Sequence, residues 1–290
     1  MDLQQLTLYA SNTATNFSIY CILALGISLV FGLTGLINFA HGELMAVGAF
    51  VTYVVAAGGG MDYLLALVVA MAVVGVLSVG LERTVFRPTL KRPINGFLIS
   101  LGLILIFQNG LLAIFGGTPK LLEPAVTGNL TIAGTRISAQ SILTVVVAVT
   151  CMFALLWMLE HTRFGLMLRA SAVDRETASH MGVNVSRTVV VVFLISGALA
   201  GVAGVLIAGL YPVSPLMGSL YVLKAFAVAI LGGLGSVRGA IVAAFIVAVS
   251  ETIVTAAGFV SWSVATSFAL MAVVLLVRPT GIFAGAEARA

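Results

Sequence analysis

Side chains able to do chemistry are few in this sequence, 14 basic and 10 acidic among 290 residues, and their positions limit what they can do. Asn38, Phe39, His41 and Glu43 lie in an apolar stretch beside Gly32, Gly35, Gly42 and Gly48. An imidazole and a carboxylate two residues apart can contact a polar solute or move a proton, but inside hydrocarbon such groups must face protein or water. Two readings stay open. The four residues line or gate a pathway, with the glycines permitting a broken helix, or they form a satisfied polar knot, or an interfacial cluster, that fixes packing. Lys224 and Glu251 are the other ionisable residues within or beside apolar runs. Either they pair across helices, or Lys224 snorkels to the interface while Glu251 faces a neighbouring subunit. No Ser-His, paired-Asp or zinc constellation is present, so no catalytic residue is expected. His41-Gly42-Glu43 lacks two-histidine helical spacing, and His161 and His180 fall in a connector, so no metal site is expected. Cys21 and Cys151 sit in apolar segments and read as small core residues.

The polar island Glu160–Arg187 is the third constellation, set between two long apolar runs. Asp174 and Glu176 suit the start of a short helix, where they cap it and complement its dipole. Ala178 and Gly182 are four apart, which predicts one helical face on which missing side chains let a partner approach. That makes the island a candidate docking surface, with an ordinary solvated connector as the plain alternative. Gly197 and Gly201, and Gly235 and Gly239, have the same spacing and predict close helix packing.

The elements that must position these residues follow from composition: 61% hydrophobic and 8% charged, with apolar runs along the whole length. The chain reads as an all-α polytopic membrane protein, and continuous runs exclude a transmembrane β-barrel. Apolar windows fall at 17–36, 40–57, 62–81, 94–115, 141–159, 188–210, 222–236, 239–257 and 262–277. The second is glycine-rich and the seventh short, so either could be re-entrant, giving eight to ten transmembrane or re-entrant helices. Residues 1–290 form a single transmembrane domain, because neither 116–140 nor 160–187 is long enough for a core of its own. The N-terminal residues show no cleavage pattern, so the first helix is expected to stay. Eleven of the 14 basic residues fall in 82–93, 160–187 or after 237, among them Lys91 and Arg289. By the positive-inside rule those loops and the C-terminus are cytoplasmic. The net charge of +4 therefore reports topology, and no nucleic-acid partner is expected; lipid is.

Gly35-Leu-Ile-Asn-Phe-Ala-His-Gly-Glu43, followed by Met45 and Gly48, resembles the signature of the branched-chain amino-acid permeases of the LivH type. Glu176-x-Ala178-x-x-x-Gly182 resembles the cytoplasmic loop of ATP-binding-cassette (ABC) importer permeases, departing at Thr177, where the wider pattern has a second alanine. Arg169-Ala170, Ser196–Gly201 and Leu231–Ser236 with Gly239 add to the likeness, which runs from about residue 17 to 281. The resemblance implies an ABC importer permease fold in a bacterial inner membrane. It implies a second homologous permease, two cytoplasmic ABC ATPases and a periplasmic substrate-binding protein as partners. Leucine, isoleucine and valine are the substrates it implies first, with urea, amides or other amino acids as alternatives. No Gly-x-x-x-x-Gly-Lys-[Ser/Thr] phosphate loop occurs, so no cofactor is expected on this chain and ATP would be used by the partners. From the residues alone, an ion-coupled secondary transporter using His41, Glu43 and Glu251 is the competing class.

Overall fold

A computed structural model describes residues 3–58, 63–90, 92–124, 126 and 128–283; Lys91 and Arg289 lie outside the described residues. The helices are α1 Leu3–Thr34, α2 His41–Thr52, α3 Tyr63–Leu81, α4 Pro93–Phe115, α5 Ala139–His161, α6 Arg163–Val173, α7 Arg175–His180, α8 Val185–Ala208, α9 Met217–Gly232, α10 Val237–Ala256 and α11 Ser263–Val277. Every apolar window of the sequence falls on one of them. Seven of these helical segments are long and apolar enough to cross a membrane. The two shorter ones are those that glycine and length had marked: α2, which continues as π-helix through Gly58, and α9, of 16 residues.

Starts are set by side chains that accept from otherwise unpaired amides. Thr162 accepts from Gly165 N, Asn184 from Arg187 N and Ser236 from Gly239 N, while Pro93 opens α4 where its missing N–H costs nothing. One element departs from an all-helical reading. Asn129–Ile132 and Thr135–Ser138 form an antiparallel hairpin, β1 and β2, turned by Ala133 and Gly134 at positive φ, the conformation of a two-residue type I′ turn.

α1 and α8 are the most buried spans, with α2, α3, α9 and α10 packed around them. α4, α5 and α11 lie outside and present apolar side chains such as Leu105, Ile106, Trp157 and Leu276 away from the core. α8 seats against α3 through Gly197 and Gly201: a Cβ on Gly197 would fall 2.4 Å from the Ser78 Cβ and 2.7 Å from the Val74 carbonyl oxygen. Gly235 and Gly239 do not share a helical face. Gly235 precedes α10 in a turn at φ +91° and meets Gly32 of α1, while Gly239, inside α10, packs on Gly232 of α9. The one-face expectation fails because Ser236 caps α10 and begins its helical phase after Gly235.

The bundle has two distinct ends. At one, Arg238 pairs with Glu160 at 2.7 Å, Arg175 reaches the Leu33 carbonyl at the end of α1, and Ile282 N donates to Leu231 O. At the other, Lys120 and Val213 exchange backbone hydrogen bonds and Thr135 donates to Gln4 O.

Candidate translocation and coupling sites

The chain between α1 and α2 turns back into the bundle. His41, first residue of α2, rests against Gly26, where an added Cβ would lie 2.7 Å from His41 Nε2. Gly26 is eight residues before the end of α1, about 12 Å along the axis, so α2 begins inside the protein. The Asn38 side chain accepts from Ala40 N at 3.0 Å, which shapes the turn. Phe39 N donates to Ser100 Oγ, and its ring stacks on Phe226 with centroids 4.3 Å apart. Ser196 Oγ donates to Gly26 O at 2.9 Å and stands 3.5 Å from His41 Nδ1.

Glu43 is 0% exposed. Its Oε1 accepts from Gln108 Nε2 at 2.9 Å and from Ser219 Oγ at 3.3 Å, while Oε2 and His41 Nε2 have no hydrogen-bond partner among the described residues. Gly218 lets α9 approach, since a Cβ there would sit 2.6 Å from the carboxyl. The cavity beside His41 measures ≈ 10 Å³, room for about one water. In this conformation Asn38, His41 and Glu43 are buried and Phe39 is half-buried, with no larger space than this beside His41. Gln108 and Ser219 are the partners that the sequence reading missed; a glutamine and a serine in apolar runs were the available signal.

Nearer the start of α1, at Tyr20, Lys224 and Glu251 are paired, with Nζ 3.0 Å from Oε1. Tyr20 OH donates to Glu251 Oε2 at 2.7 Å and accepts from Lys224 at 2.7 Å, and Ser267 of α11 donates to Oε1. Of the two readings of these residues, the pair is the one observed. It forms the floor of a cavity of ≈ 770 Å³ at the Lys120 end of the bundle.

The island forms α6 and α7. Asp174 caps α7, accepting from Glu176 N, Thr177 N and the Thr177 hydroxyl, and this last contact chiefly holds its carboxyl below the usual aspartate range. Arg175 donates to Leu33 O, a cation on the negative end of the α1 dipole. The expected contact face of Ala178 and Gly182 is not formed. Ala178 is 4% exposed, and Gly182 lies beyond the helix at φ +89°, where Val183 N turns back to Ala178 O. A six-residue helix ends before spacing of four can reach Gly182. What the loop presents instead is apolar. Leu166 and Val173, seven apart on α6, and Met181 after α7 are 62%, 85% and 82% exposed. Glu176 is exposed beside them.

Metal-ligand clusters are absent among the described residues. The family described as "Branched-chain amino acid transport system / permease component" matches residues 9–275. The high-affinity branched-chain amino acid transport system permease protein LivH of Salmonella typhimurium is 32% identical over 95% of this chain and 94% of its own length. LivH of Escherichia coli K12 is 31% identical over the same shares. The corresponding protein BraD of Pseudomonas aeruginosa is 31% identical over 98% of this chain and 96% of its length. Similarity along nearly the whole chain, on a bundle of apolar helices with an inserted, glycine-flanked α2, identifies the protein: it belongs to the permease component family of branched-chain amino acid transport systems and is a multi-pass membrane permease.

Proposed function

We propose that this chain is the translocation subunit of an ABC importer for branched-chain amino acids, paired with a second permease and driven by separate ATPases that dock on α6 and α7. The observation that carries the reading is the link from loop to core. Arg175 ties α7 to the end of α1, one of the two most buried spans, so a push on the loop is delivered to the centre of the bundle. Exposed Leu166, Val173 and Met181 supply the apolar anchors expected of a protein-binding patch. The substrate follows from the relatives, whose names specify branched-chain amino acids. Basic residues concentrate at the α6–α7 end, which supports a cytoplasmic position for it in a bacterial plasma membrane. The Lys120–Val213 end then faces outward, toward a substrate-binding protein.

The test is uptake of leucine into liposomes containing the assembled complex. The reading expects uptake that requires ATP and is lost on replacing Arg175 with alanine while the subunits still copurify. Leucine uptake by this chain alone, or uptake indifferent to ATP, would sink it.

A further inference from the structure

The coupling loop gives no reason for an ion pair at the far end of the bundle. Taking two charges out of water carries a desolvation penalty that a buried pair seldom repays, so stability does not explain its presence. Of the three ion pairs among the described residues, this is the one at a large cavity; Arg87–Glu82 and Arg238–Glu160 involve loops and helix termini at the other end. The two charges come from different helices, α9 and α10, and meet the Tyr20 hydroxyl of α1. Lys224 is the more accessible, its side chain 17% exposed against 5% for Glu251. The volume above them, ≈ 770 Å³, is in the range of small-molecule sites. Asn16 and Tyr221 give its wall polar groups, and Ile19, Leu220 and Val264 give it apolar ones.

We propose that the Tyr20–Lys224–Glu251 floor is a reception site for a free α-amino acid, which it recognises by exchanging the internal ion pair for two external ones. The carboxylate of the substrate engages Lys224 first, as the more accessible group. The substrate ammonium then takes a Glu251 oxygen, and the Tyr20 hydroxyl, freed from that oxygen, donates to the substrate carboxylate. Charge is balanced before and after, so the exchange adds no unpaired charge to the buried site. A singly charged solute that separates the pair leaves one member unmatched, and a neutral one leaves both, the expensive case for a buried ion. Neutral amides and singly charged analogues are thereby rejected through what they fail to satisfy. The apolar wall accepts an aliphatic side chain. This site rests on the proposed amino-acid import and names its contacts within this chain.

The assembled complex in liposomes, with its ATPases, second permease and binding protein, tests both statements separately. Wild-type complex is assayed for leucine and for a small neutral amide, and compared with Lys224→Met/Glu251→Met, which removes both charges, and Lys224→Glu/Glu251→Lys, which keeps a pair but reverses it. Leucine uptake is expected to fall roughly tenfold or more in both variants, while the subunits still copurify. Should the methionine variant fail to assemble, the reversed pair decides, because it keeps both charges while exchanging the positions that the substrate carboxylate and ammonium must take. Wild-type leucine uptake in an assembled variant overturns the reception site. Wild-type complex that carries the amide and no amino acid overturns the import reading itself.

Discussion

At Gly204 of α8 an added Cβ would lie 2.2 Å from the Met45 carbonyl oxygen and 2.6 Å from Ala49 N of α2. Both obstacles are backbone, so relief requires shifting the helix that carries His41 and Glu43. Overpacking of this kind costs about 1–3 kcal/mol, and Gly204→Ala is expected to lower the Tm of the purified complex accordingly. Gly102, midway along α4, is the contrast: nothing lies within 4 Å of its Cβ position. Gly102→Ala removes backbone freedom without a clash and should leave stability unchanged or raise it by about 0.5–1 kcal/mol. Equal Tm values for the two variants would show that glycine does not set the α2–α8 approach. Gly42 meets the same limit on another side of α2, with a Cβ position 2.3 Å from Gly218 O. Two glycines thus fix where the buried Glu43 carboxyl can sit.

Among elements, α7 depends most on a single side chain. Asp174 holds both amides of its first turn and the Thr177 hydroxyl. Its carboxyl titrates below the ordinary aspartate range, so its contribution is present above the unfolded value and is lost as pH falls through the lowered folded one. Hydrogen-exchange protection at Glu176 N and Thr177 N should therefore hold at neutral pH and drop in acid. Asp174→Ala should abolish it at every pH, and Asp174→Asn, which also caps, should retain it without the acid transition; protection in the alanine variant would remove the cap from the account. Asp174 was legible in the sequence because an acidic residue at the head of a short polar segment has few other uses. Gly182 was misread because spacing of four presumes a continuous helix, and six residues do not supply it. The nine apolar segments were legible for a cruder reason, since hydropathy alone selects helices in lipid. The hairpin at 129–138 was not, as four-residue strands turned by Ala133-Gly134 give too little alternation to detect. Glu43 was recognisable as unusual, yet its partners Gln108 and Ser219 lie 65 and 176 residues away, and no local pattern connects them.

For the whole molecule, seven long spans with the shorter α2 and α9 make nine crossings, which put the two ends of the bundle on opposite sides of the membrane. The inserted start of α2 does not change the parity, because residues 34–40 leave and re-enter at the end where Arg175 meets Leu33. Lys120 belongs to the other end through its backbone pairing with Val213. This places Lys120 and Ser179 on opposite sides with α5 crossing between them. In a background with Cys21 and Cys151 replaced by alanine, Lys120→Cys is expected to react with a membrane-impermeant thiol reagent added to intact cells. Ser179→Cys, exposed on α7, should react only after the membrane is opened. Basic residues crowd the Ser179 end, and reversing the orientation would carry them across the membrane against the usual charge bias. Labelling of both positions in intact cells would break the two-ended arrangement, and labelling of Ser179→Cys alone would invert it, moving the Tyr20–Lys224–Glu251 cavity to the cytoplasmic side and the proposed docking loop α6–α7 out of reach of ATP.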